Sequence, residues 1–206
     1  DIAAYFASGG ETAALLTTLE ERLHEIARGV EELRLRAGTD TGISVQLLTL
    51  PAVTCCRRLC EGHTVADKYN AMYDFYGACV RQGYHLSNEP IFTISQRQDF
   101  LNGYISDKPY PFWVCVPMRP EKAPKEAVVL PACRALSVLY YGSYAGADEA
   151  LLRLGREVKQ RGLTPAGDPR ALGIVAPYTG REIETKRYCS RLVLPVTGET
   201  EPSFSE

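Results

Sequence analysis

Cysteine and histidine are the residue types in this sequence that could bind a metal ion or act as nucleophiles. The chain has seven cysteines and three histidines among 206 residues. Cys56 and Cys60 are not followed by a second cysteine pair at zinc spacing, and His24, His63 and His85 are widely separated. We therefore predict no metal and no other cofactor. An odd number of thiols placed in predicted strands and one helix indicates buried, reduced cysteines.

Nucleophilic catalysis would need a base beside a thiol or a hydroxyl. Cys60 or Cys133 with His63 or His85 would provide such a pair in principle, but no motif supports it. The sequence also lacks a phosphate-binding loop, an HExxH motif and a G-x-S-x-G motif. We expect no catalytic residues and no enzyme activity.

Tyrosines give a clearer indication of binding. The spacing of Tyr69, Tyr73 and Tyr76 places three of them on one stripe of a predicted helix. Such a stripe would pack a core, but each buried hydroxyl needs a hydrogen-bond partner, which weighs against a dry core. A ligand-binding surface and a core both remain open for this stripe.

The elements that would position these residues are clearest between residues 128 and 162. A strand with apolar groups on both faces is followed by a helix in which Ala147, Leu151, Leu154 and Val158 share one face. Over the whole chain, the patterns predict helices near 65–82 and 145–161. They predict strands within 44–61, 90–96, 112–118, 128–142, 171–176 and 188–196.

The order strand-helix-strand-strand occurs twice in the sequence. The tripeptide LPA begins both copies, and the closing strands FWVCVP and SRLVLP each end in a proline. We predict an α+β fold built from an internal duplication of strand, helix, strand and strand, with Trp113 and Arg191 at equivalent positions.

The first 42 residues are predicted to be a separate helical region. Apolar residues alternate steps of three and four, flanked by charges of both signs, which is the pattern of a coiled-coil seam. The seam residues are Leu16, Leu19, Leu23, Ile26, Val30 and Leu33. We predict a homodimer through this seam, although a single amphipathic helix lying on its own domain would have a similar pattern. The main domain is expected at 43–197, followed by a mobile polar tail at 198–206.

Charge and hydropathy disfavour several classes of function. A net charge of −2 gives no broad basic surface, so these residues are not expected to bind nucleic acid directly. No apolar run approaches the roughly 20 residues of a membrane span, and no segment is typical of a signal peptide. We expect a cytoplasmic protein with no membrane partner.

These features together resemble a MerR-type transcription regulator with a GyrI-like effector-binding domain. The resemblance rests on the initial DIAAYF, the heptad helix and the segment YYGSYAGADEALLRLGREVKQRG with the final PV strand, and it covers the chain to about Val196. It implies a curved antiparallel sheet, one helix from each repeat, a ligand cleft between the repeats and a helix pair joining two protomers. It also implies a winged helix-turn-helix before Asp1, so we expect a fragment whose promoter contacts need that missing part.

The resemblance further implies a pocket for a bulky aromatic, drug-like molecule, lined by aromatic side chains around a glutamate on the last strand. The residues at matching positions are Tyr73, Trp113, Tyr141, Tyr144, Tyr178, Tyr188 and Arg191. Because arginine replaces the glutamate, an anionic or neutral aromatic ligand matches as well as a lipophilic cation. In the alternative, this arginine reaches solvent or pairs with Glu61, Glu182 or Glu184.

The function implied is effector sensing and dimerisation, with ligand binding relayed through the linker helix to DNA-binding heads. The alternative is a stand-alone GyrI-like hydrolase of small strained or electrophilic compounds, in which the same glutamate is the base. Arg191 cannot act as that base, because a guanidinium stays protonated. A pure dimerisation module is a third class, and the implied cleft disfavours it.

Overall fold

The computed structural model describes residues 45–141, 146–175 and 188–198. These residues belong to one compact unit and form nine strands, two α-helices and two 3-10 helices. The predicted seam residues lie outside the described residues, and so do Tyr144 and Tyr178. The described helices include none that is both long and apolar enough to cross a bilayer.

The elements follow the predicted order along the chain. The strands are β1 (Val45–Leu50), β2 (Val53–Gly62), β3 (Phe92–Ser95), β4 (Tyr110–Pro117), β5 (Val128–Leu130), β6 (Cys133–Tyr141), β7 (Thr164–Pro165), β8 (Arg170–Val175) and β9 (Cys189–Thr197). The helices are α1 (Val65–Arg81) and α2 (Ala147–Gln160), and the 3-10 helices are Asp99–Asn102 and Pro120–Lys122. Both predicted helices are confirmed. Two predicted strands each divide in two around Pro51 and Pro131, and β7 was not predicted.

The strands form an antiparallel sheet, which confirms the α+β class. The order is β1-β6-β9-β8-β3-β4-β2-β5, with β7 paired to β9. All of the pairings between these strands are antiparallel. Strands from the two halves of the chain therefore meet where β3 pairs with β8, at the centre of the sheet.

The first strand of each half of the chain pairs with a strand of the other half. β1 pairs with β6, and β5 pairs with β2, so the first strand of each half forms an edge of the sheet. The registers correspond as well: Trp113 lies opposite Ile94 of β3, and Arg191 lies opposite Leu172 of β8. That the two halves superpose in space stays a prediction.

Helix α1 begins with a capping box. The Thr64 hydroxyl accepts a hydrogen bond from the Asp67 N–H, and the Asp67 carboxylate accepts one from the Thr64 N–H. Such reciprocal caps satisfy backbone donors that the first turn leaves unpaired. The helix packs partly buried apolar residues, including Met72 and Phe75, against a core that contains Phe112 and Val114 of β4.

Helix α2 buries the face that the sequence predicts. Ala150, Leu151, Leu154 and Val158 are buried in a core cluster that also contains residues of β6 and β9. The helix ends at Gln160, and Gly162 follows the C-cap residue Arg161 with a φ of 61°, in the left-handed region that favours glycine. The two helices therefore lie on the same face of the sheet, which leaves a gap between them.

The cysteines are free thiols, and five of the seven are buried. This agrees with the prediction of reduced cysteines.

Candidate functional site

A cleft lies between α1 and α2, above the central strands of the sheet. Its empty volume is about 790 Å³, including solvent at the open mouth. The lining residues are Lys68, Tyr69, Met72, Thr93, Ser95, Tyr140, Ala147, Asp148, Leu151, Pro169, Arg170, Ala171, Leu172, Gly173, Ser190 and Leu192. Both halves of the chain contribute to it.

The floor of the cleft is formed by side chains of the central strands that point toward the helices. Thr93 of β3 pairs with Ala171 of β8, which pairs with Leu192 of β9. Directly paired residues point to the same side of a sheet, so these three side chains form one row beneath the helices. Ser190 follows the same alternation and lies on this side as well.

Four hydroxyl groups lie among the apolar residues of the floor. Thr93, Ser95, Tyr140 and Ser190 are 2%, 5%, 6% and 3% exposed. Burial raises the pKa of Tyr140 and nearby Asp148 acts in the same direction, whereas the Ser190 hydroxyl opposes them. The Ser190 hydroxyl lies beside that of Tyr140, yet its Oγ has no hydrogen bond of good geometry.

The walls of the cleft are apolar, and the charged lining residues that the helices contribute lie in their first turns. Tyr69 and Met72 come from α1, and Leu151 comes from α2. Lys68 and Asp148 carry opposite charges on the two helices. The Lys68 ammonium lies 5.0 Å from the centre of the Tyr110 ring, close enough for a cation–π contact.

Solved structures with similar architecture identify the fold. The C-terminal domain of EcmrR matches with a TM-score of 0.63 and 16% sequence identity, over 76% of this chain and 99% of that domain. This chain has the fold of the EcmrR C-terminal domain. EcmrR in a DNA complex matches with a TM-score of 0.64 and 14% identity, over 96% of this chain and 76% of that one.

A third similar structure is an uncharacterized conserved protein from Listeria innocua. It matches with a TM-score of 0.52 and 11% identity, over 79% of this chain and 96% of that protein. No protein-family model and no curated protein sequence matches this chain. The likeness to EcmrR confirms the fold that the sequence resemblance implied.

The predicted site residues with described side chains do not line this cleft. These residues are Tyr73, Trp113, Tyr188 and Arg191. Tyr73 is 62% exposed on α1 and stacks on Tyr69 with ring centres 6.1 Å apart. Tyr188 immediately precedes β9 and is partly buried.

Trp113 and Arg191 lie on the face of the sheet opposite the helices. Each is adjacent in sequence to residues that face the cores beneath the helices, and side chains alternate along a strand. The strands β3 and β8 separate them, so they are roughly 14 Å or more apart at the sheet's spacing of about 4.8 Å. The cation stacked on Trp113 is Arg57, with its guanidinium carbon 4.2 Å from the ring centre.

Three further site residues were predicted from the sequence. Tyr141 ends β6, and Tyr144 and Tyr178 lie outside the described residues. A ligand-binding role for the predicted set stays a prediction, and only Trp113 and Arg191 of that set are located on the face of the sheet opposite the helices.

The sequence analysis missed the residues that line the cleft. Tyr69 was recognised in the tyrosine stripe but was not chosen as a site residue. The available signal for Ser190 was a polar residue next to the predicted Arg191 in a mainly apolar strand, and Tyr140 is adjacent to the predicted Tyr141.

Metal and thiol chemistry find no support in the part of the chain that the structure describes. No group of three or more potential metal ligands occurs there. Burial raises the pKa of Cys60, although Arg58 opposes it. An activated thiol needs the opposite shift. The Cys60 thiol donates instead to the Arg58 carbonyl, at 3.9 Å.

Proposed function

We propose that this chain is the effector-sensing part of a MerR-type transcription regulator, with a GyrI-like domain that binds a bulky aromatic small molecule. The observation that carries the proposal is the apolar cleft between α1 and α2, lined by both halves of the chain. Its apolar walls and its few convergent polar groups are typical of a small-molecule site. The fold shared with the EcmrR C-terminal domain is consistent with this role.

The position of the cleft suggests how binding would be transmitted. A ligand shifts a conformational equilibrium only when it binds one state better than another. A molecule that contacts Tyr69 of α1 and Leu151 of α2 together would favour one separation of the two helices. We propose that this change reaches DNA-binding heads through the linker that follows the N-terminal helix.

Dimerisation and DNA binding complete the proposal. The seam residues of the N-terminal helix would join two chains, because a regulator that reads two half-sites needs two heads. Promoter DNA would be bound by heads outside this sequence, because the net charge of −2 does not favour binding to phosphates. The protein would act in the cytoplasm and without catalysis.

Two variants test the location of the ligand. Cationic, neutral and anionic aromatic compounds are first screened by thermal shift, because a ligand of the native state raises Tm. The best compound is then titrated by calorimetry into the wild type, Tyr69→Ala and Trp113→Ala. We expect Tyr69→Ala to weaken binding about tenfold, because an aromatic contact of roughly 1.4 kcal/mol is lost.

Trp113→Ala is the matched control on the other face of the sheet, and its affinity should equal that of the wild type. If Trp113→Ala weakens binding and Tyr69→Ala does not, the ligand binds on the face of Trp113 and Arg191. It would then support the site residues predicted from the sequence and contradict the cleft between the helices. Circular dichroism of both variants confirms that each is folded.

A further inference from the structure

We infer that the cleft selects a neutral aromatic molecule with a polar group that both donates and accepts hydrogen bonds, such as a phenol. This inference rests on the proposed function and specifies the chemistry of the same site. It follows from the hydroxyl groups on the floor and from the distribution of charge around them.

The buried Ser190 hydroxyl indicates that the ligand carries a hydrogen-bonding group. The Ser190 side chain is 3% exposed, and its Oγ makes no hydrogen bond of good geometry, although the Tyr140 hydroxyl lies beside it. Leaving a buried hydroxyl unpaired costs free energy, so native structures satisfy nearly all such groups. Ser190 lines the cleft, where a ligand that reaches the floor would supply the missing hydrogen bond.

The hydroxyl groups around Ser190 indicate that this ligand group both donates and accepts hydrogen bonds. The Tyr140 hydroxyl lies beside that of Ser190, and Thr93 and Ser95 add two more buried hydroxyls to the floor. A hydroxyl both donates and accepts, so this row complements a ligand group with the same dual capacity. An alkyl group at that position would leave the Ser190 Oγ without a hydrogen bond of good geometry.

The distribution of charge around the cleft indicates that the ligand group is neutral. Lys68 and Asp148 have opposite signs, and Lys68 already lies over the Tyr110 ring. Arg170 borders the cleft, but its guanidinium reaches the Cys133 sulfur on the other face, at 3.9 Å. An ion on the floor would lose hydration, which is costly, and Asp148, which acts on Tyr140 from α2, would offset part of that cost for a cation only. A neutral polar group avoids that penalty.

Four biphenyl probes of nearly equal shape test the inference. They are 4-phenylphenol, 4-methylbiphenyl, 4-phenylbenzoate and 4-biphenylyl-trimethylammonium. Calorimetry should give 4-phenylphenol the lowest Kd, by about 3- to 10-fold relative to 4-methylbiphenyl, the effect of one net hydrogen bond. The benzoate and the ammonium probe should bind more weakly than either.

Ser190→Ala assigns the effect to the floor. It should raise the Kd of 4-phenylphenol about 3- to 10-fold and leave that of 4-methylbiphenyl unchanged. Ser137→Ala is the matched control, because Ser137 is 4% exposed in the neighbouring strand β6 and points to the opposite face. Tyr140→Phe provides a second test of the floor, with Tyr104→Phe at a 57% exposed site as its control.

The outcomes separate this inference from the proposed function. If a charged probe binds most tightly, or if Ser190→Ala changes no Kd, the selection of neutral polar ligands is wrong while the cleft still binds aromatic molecules. If none of the four probes binds, the result counts against the cleft as a site for small aromatic ligands, and the proposed function fails with it.

Discussion

Arg97 and Asp99 form an ion pair whose side chains are 7% and 11% exposed. The Asp99 carboxylate also accepts hydrogen bonds from the backbone N–H groups of Phe100 and Ser106. Burial would raise the pKa of Asp99, but Arg97 and these N–H groups outweigh it and hold that pKa below its usual value. The pair therefore fixes the segment between β3 and β4.

We expect Asp99→Asn to lower the free energy of unfolding at pH 7 by roughly 3 to 5 kcal/mol, because it leaves the Arg97 charge buried without its partner. The folded-state pKa of Asp99 is depressed, so its contribution is present above the unfolded pKa of about 3.9 and is lost as pH falls through the lower folded value. The difference between the two proteins should therefore shrink at pH 3.

Urea unfolding at pH 7 and pH 3 measures this difference. Asp107→Asn, at an exposed position nearby, is the control and should change stability little at either pH. An equal loss in both variants would show that Asp99 has no special role.

Consecutive residues of β9 explain why the site was hard to predict. Ser190 points toward the helices and Arg191 points away, because side chains alternate along a strand. The sequence pattern predicted the strand, but it did not determine which face the helices would cover. A choice between adjacent residues therefore moved the expected site to the opposite side of the sheet.

Helix α2 and the 3-10 helix Asp99–Asn102 pack closely enough to require a glycine. A Cβ added to Gly155 would lie 2.5 Å from the Phe100 carbonyl oxygen, which is backbone and cannot move aside easily. In α1, a Cβ added to Gly77 would meet only the end of the Arg81 side chain, at 3.2 Å.

These two glycines should respond to alanine with opposite signs. Gly155→Ala is expected to destabilise the domain by about 1 to 3 kcal/mol through overpacking, despite the better helix propensity of alanine. Gly77→Ala should stabilise it by roughly 0.5 to 1 kcal/mol, because Arg81 can adjust. Denaturant unfolding of both variants checks the signs, and a stabilising Gly155→Ala would contradict the close packing.

The elements were largely predictable because their periodicity is local. The buried face of α2 and most strands could be read from apolar spacing. The tyrosine stripe of α1 does not mark its buried face, because Tyr73 and Tyr76 are exposed while Met72 and Phe75 pack against the core. The breaks at Pro51 and Pro131 were not predicted, because they depend on partners distant in sequence: β1 pairs with β6, whereas β2 pairs with β4. The two-residue strand β7 is too short to give a pattern.

At the scale of the whole molecule, the seam of the N-terminal helix predicts a dimer. Leu23→Asp would place a charge within that apolar seam, so we expect the dimer to dissociate into monomers at micromolar concentration. Sedimentation velocity measures the change. Thr18→Asp adds the same charge outside the seam and should remain dimeric; dissociation of both variants, or of neither, would contradict the assignment of the seam.

The pairing of β1 with β6 and of β5 with β2 also affects how the domain folds during synthesis. During synthesis, β1 leaves the ribosome long before its partner β6, so it stays unpaired until most of the chain has emerged. Closing such distant pairs is intrinsically slow. A half produced on its own would expose β2 or β6 as an open edge, which is a template for association with other chains. The domain is therefore a single indivisible unit of folding, and neither half can be lost or replaced without unpairing a strand of the other.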